Sequence, residues 1–121
     1  MTNAVRGIVT AEIDGKTVTL CLSANQWCDL EEEHGKSTRH ILGRFEEMAA
    51  EEDLDMRFLR SLFRAALSYS QPDVTLEQAG AIMQACGLVE AAKLVGQAAV
   101  LSMPEVKGTA GKPKGTKAKT G

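Results

Sequence analysis

Asp14-Gly15 stands between two runs of alternating apolar and polar residues, and no other feature restricts the fold of this chain as tightly. A two-residue type I′ turn needs positive φ at both central positions, and Asp-Gly is among the pairs that accept it. That loop pairs Ile13 with Lys16, Ala11 with Val18, Val9 with Leu20 and Gly7 with Leu22. Val9, Ala11, Ile13, Val18, Leu20 and Leu22 then share one face. Glu12 with Thr17, Thr10 with Thr19, and Ile8 with Cys21 fall on the other, which predicts one buried face and one solvated face. A slip of one residue would invert the pattern, so turn and alternation specify the same register. A lone hairpin is marginal in water, so its apolar face must be covered by later parts of the chain.

Those later parts are helical. Ser23 and Gln26 form a Ser-x-x-Gln capping box, Trp27, Leu30 and His34 share a face, and Gly35 is a stop. Ser37 caps a second helix with Ile41, Leu42, Phe45, Met48 and Ala49 as its apolar stripe. The acidic stretch Glu46 to Asp55 interrupts it, with Asp53 as the expected N-cap of a third helix. That helix places Phe58, Leu59, Leu62, Phe63, Ala66 and Tyr69 at core spacing. Gln71-Pro72-Asp73 breaks the chain. Thr75 and Gln78 open a fourth helix, with Ala79, Ile82, Met83 and Cys86 inward and Gly87 at its end. A fifth, over residues 88–103, is apolar around more than one face, which predicts either a central core helix or a surface buried by a partner.

The 121 residues suit a single domain, expected over residues 1–103, with residues 104–121 as a disordered Lys/Gly-rich tail. The tail holds five lysines against one glutamate, whereas the preceding residues hold nine basic against fifteen acidic side chains. An acidic body thus carries a basic extension. Cys21, Cys28 and Cys86 are three in number, with no CxxC pair, and suit free thiols in a reducing compartment. The sequence has no run of about 18 apolar residues and no secretory pattern at its start, which predicts neither a membrane span nor export.

No catalytic constellation is legible, and no cofactor or metal site is expected. Cys28, His34 and His40 lie six residues apart, wider than the ligand pairs of structural zinc sites. Asp29, Glu31, Glu32 and Glu33 offer either an acidic face or a solvated helix flank. Arg57, Arg60 and Arg64 form a basic stripe, for which nucleic-acid binding competes with pairing to Glu51, Glu52, Asp53 and Asp55 or with solvation. The lysine tail suits a non-specific electrostatic contact but has no aromatic residues for base stacking.

Arg6-Gly7 before the first strand, Ile13-Asp14-Gly15-Lys16 at the turn, Thr19-Leu20-x-Leu22 after it, and Leu30-Glu31 with Gly35 on the first helix resemble the gene-transfer-agent branch of the phage tail assembly chaperones. The resemblance spans about residues 5–68. It implies a short, mainly helical protein with an N-terminal hairpin. Its implied role is non-enzymatic: binding the helical tape-measure protein in the bacterial cytoplasm during tail morphogenesis, and absence from the finished particle. The expectation for the fold is α+β, a hairpin packed on about five helices. Partner contacts are expected on the over-apolar last helix, at Leu94, Val95, Ala98 and Leu101, and then at Trp27 and Leu30, with self-association through the same helix as an alternative. Two further classes stay open: a structural tail component retained in the particle, and a small nucleic-acid-associated regulator, against which the acidic body argues.

Overall fold

A computed structural model describes residues 7–102. The hairpin comprises β1 (Ile8–Ile13) and β2 (Lys16–Cys21), antiparallel, with Ile13 opposite Lys16 and Val9 opposite Leu20. Asp14 and Gly15 take φ of 54° and 76°, the positive values that their turn demands. Val9, Ile13, Val18, Leu20 and Leu22 are buried. Ladder pairing ends at Ile8 with Cys21, so the expected pair of Gly7 with Leu22 is not made.

The hairpin leads into five helices: α1 (Ala24–His34), α2 (Thr38–Glu51), α3 (Met56–Ser68), α4 (Leu76–Cys86) and α5 (Leu88–Ser102). The fold is therefore α+β, a two-stranded hairpin on five helices. Local signals set the boundaries. Ser37 Oγ accepts the His40 N–H at 3.2 Å, and Thr75 and Gln78 cap one another at 2.9 and 3.0 Å. Gln26 Oε1 accepts the Ser23 N–H at 3.2 Å, and Gly35 closes α1 in the left-handed region at φ 66°.

α3 is the central element. It packs against β2, α1, α4 and α5, and Phe58, Leu59, Leu62, Phe63, Ala65, Ala66 and Leu67 are all buried. The hairpin lays its apolar face over α3 and α5. One expectation put α5 at the centre, but only one face of α5 goes inward, through Ala91, Leu94, Val95, Ala98 and Ala99. Val89, Val100 and Leu101 stay exposed. Central position fell to the helix that has two bulky phenylalanines and small Ala65 and Ala66, which let neighbours close in on several sides.

Four local expectations need correcting. The N-cap of α3 is Asp55, not Asp53: its carboxylate accepts the Phe58 N–H at 3.2 Å. Tyr69 is exposed, because α3 ends at Ser68 and Ser70 turns the chain away, donating to the Thr19 carbonyl at 3.2 Å. Cys21, expected on the solvated face, is buried. The end of α5 covers the open end of the hairpin so closely that a Cβ on Gly7 would stand 3.3 Å from Ser102 Cβ and 3.6 Å from Cys21 Sγ. Finally, α2 buries only Ile41 and Met48 of its five-residue stripe. The lysine tail lies outside the described residues.

Candidate functional site

The rest of the α2 stripe, Leu42, Phe45 and Ala49, is only partly covered by the core and faces α5 across an open cleft. One part, about 610 Å³, is lined by Leu42, Phe45, Ala99, Val100 and Leu101, with Glu46 and Gln97 at its edge. A second part, about 500 Å³, continues past Phe45 and Gly96 to Ala49, Leu54, Val89 and Ala92, with Glu52 and Lys93 at its edge. Phe45 and Gly96 line both, so the two form one apolar groove between the helices.

Two sets of contacts tie α2 to its neighbours, one at mid-helix and one at its start. The Arg44 guanidinium pairs with Asp55 and lies 4.2 Å from the centroid of the Phe58 ring. At the start of α2, Glu31 Oε2 accepts the Thr38 N–H at 2.9 Å and its hydroxyl at 2.7 Å, which holds the Glu31 carboxyl below the usual range. Ile41 and Met48 are the buried pegs of α2. The groove therefore exists because α2 is fixed along one edge and free along the other.

Of the six expected contact residues, five belong to the monomer core. Leu94, Val95, Ala98, Trp27 and Leu30 are at most 6% exposed, and the Trp27 indole N–H reaches Ser102 Oγ at 3.4 Å. All five belong to the hydrophobic core cluster, which is the physical reason they offer no outer surface. Leu101 is 44% exposed and lines the groove. Leu42, Phe45, Ala49 and Gly96 were not anticipated as a site. Their signal was present: α2 and α5 together carry more apolar residues than one core can cover, and a glycine sits in mid-helix.

The other candidate residues scatter. Cys28 is exposed, and His34 bonds to Ser61 rather than facing His40. Among the described residues, no group of three or more His, Cys, Asp or Glu side chains converges as a metal site. Of the acidic run on α1, Glu31 caps α2, and Glu33 accepts from Ser61 Oγ at 2.9 Å. Ser61 in turn lies 2.8 Å from His34 Nε2. A hydroxyl has one proton, and here the carboxylate takes it, so His34 must donate from Nε2. The hydroxyl is thus a relay between two side chains, not a nucleophile facing a base.

Of the alternatives for Arg57, Arg60 and Arg64, pairing with the nearby acids is not made, and Arg57 is exposed to solvent. The one ion pair among the described residues is Arg44 with Asp55, and Arg60 Nε is buried without an acceptor. Burial raises the Cys21 and Cys86 thiols above their ordinary range, with Glu90 adding to the shift at Cys86. Among the described residues, no single helix is long and apolar enough to cross a membrane. In comparisons with protein-family models, curated proteins and solved structures, nothing matches this chain.

Proposed function

We propose that this chain is a non-enzymatic tail assembly chaperone of a phage or gene transfer agent, and that its α2–α5 groove holds a helix of the tape-measure protein. The observation that carries the proposal is the groove itself: two helices held apart, with Leu42, Phe45, Val100 and Leu101 presented between them. An amphipathic helix is the natural occupant of such a space, because it lays its apolar stripe between two flanking helices. The edge of this part of the groove is acidic, at Glu46, so the favoured segment has basic residues beside its stripe. Further support comes from the sequence resemblance over residues 5–68, which runs through the hairpin and α1 into α3. A chaperone for a long helical protein needs an accessible apolar surface of this kind, and burial there removes the client surface that would otherwise aggregate.

The test is a pull-down from cells expressing the native gene cluster, beside mass spectrometry of finished particles. The expected result is one long helical protein, retained at moderate salt and after nuclease, lost with Val100→Glu or Leu101→Glu, and a chaperone missing from the particle. Recovery of the chain within particles would favour the structural tail component instead. Nuclease-sensitive capture of nucleic acid, weakened by Arg57→Glu, would favour the regulatory class.

A further inference from the structure

At the end of the molecule away from Leu101, four exposed apolar side chains gather where the α2–α3 connection meets the start of α5. They are Leu54 (39% exposed), Met56 (42%), Leu88 (37%) and Val89 (64%). Leu88 and Val89 form a ridge between two hollows. Val89 borders the part of about 500 Å³ containing Glu52, Leu54 and Lys93. Leu88 borders another of about 320 Å³ containing Met56, Arg57, Arg60 and Met83. Ridge and hollows therefore lie side by side on one patch.

The charges on that patch have the same property. Glu51, Glu52 and Asp53 are exposed, as are Arg57 and Lys93, and none of these is paired within the described residues. Arg60 lines the second hollow with its stem against Gly80, and its Nε has no acceptor. Opposite charges only a few residues apart in sequence have thus not neutralised each other. A two-fold interface requires one surface that complements itself, with knobs beside holes and acids beside bases.

We propose that this corner is a homodimer interface, in which a second copy of the chain seats its Leu88–Val89 ridge in the facing hollow and its Glu51–Asp53 acids against Arg57 and Lys93. The occupant is a second copy because the patch supplies both partners of every contact. Charge complementarity of this kind fixes register and suppresses mismatched pairing. The interface lies beyond Phe45 from Leu101, so dimerisation and client binding use different ends of the groove. The proposal does not depend on the chaperone function.

Sedimentation velocity of the purified full chain across a concentration series tests it. The wild type is expected to shift from monomer to dimer, and Val89→Asp to raise the dimer dissociation constant about tenfold or more. Two charge variants make the test specific. Glu51→Lys with Asp53→Lys turns the patch basic, and Arg57→Glu with Lys93→Glu turns it acidic. All four positions are exposed, so far-UV CD should stay that of the wild type. Each variant alone should remain monomeric, and an equimolar mixture should restore the dimer. A wild type that stays monomeric throughout overturns the proposal. So does a dimer that Val89→Asp leaves intact, or a mixture of folded variants that does not associate.

Discussion

The Phe45 ring lies across Gly96, where an added Cβ would stand 3.4 Å from Phe45 Cε2 and 3.6 Å from Cζ. That is ordinary van der Waals contact, so a methyl group fits and anything larger displaces the ring into the groove. Glycine in a helix interior costs about 0.5–1 kcal/mol relative to alanine. Gly96→Ala should therefore raise the melting temperature by a few degrees and leave client binding close to wild type. Gly96→Leu should fold but weaken client binding about tenfold or more, because it fills the space proposed for the client helix. Calorimetric melting and then titration with the client separate the two effects.

Leu94 and Leu101 lie on the same helix but should behave in opposite ways. Leu94 is 5% exposed, and truncation to alanine in such a site costs about 2–5 kcal/mol. Leu94→Glu buries an unpaired charge and should abolish the folded far-UV CD spectrum. Leu101 is 44% exposed, and Leu101→Glu should change stability by only about 0.5 kcal/mol while abolishing client capture.

Ser61 joins α3 to α1 through His34 and Glu33 and is 3% exposed. Ser61→Ala removes the atom that both side chains share. Glu33 is exposed and His34 half-buried, so water can replace the lost partner, and the expected loss is about 0.5–1.5 kcal/mol, the net worth of an ordinary hydrogen bond. It should appear as a lower urea midpoint with an unchanged slope.

Asp55 is held below the ordinary aspartate range first by the Phe58 N–H it accepts and then by the Arg44 guanidinium. A carboxyl whose value is depressed on folding contributes stability above its unfolded value, and that contribution is lost as pH falls through the folded value. Stability should thus be level at neutral pH and decline below about pH 4, near the unfolded aspartate value. Asp55→Asn keeps a capping oxygen but removes the charge. It should lower the melting temperature at pH 7, with the gap to wild type closing as pH falls. A gap that widens on acidification would contradict this assignment.

The local structure of this chain is specified residue by residue along the sequence. Asp14-Gly15 sets the hairpin register, Ser37, Thr75 and Gln78 start helices, and Gly35 and Gly87 end them, because turns and caps are contacts between near neighbours. Periodicity identified the apolar residues of α2, α3 and α5, but it ranks them only by face. It does not say which helix is surrounded. Tertiary packing decided that α3, with Phe58 and Phe63 ahead of small Ala65 and Ala66, would occupy the centre. It also decided that Arg44, clasped by Asp55 and Phe58, would tie α2 to the start of α3, leaving the other side of α2 to face α5 across the groove. The groove is a by-product of that arrangement. Leu94 and Val100 are alike in sequence terms, and only the positions of α2 and α3 made one a core residue and the other an exposed residue lining the groove.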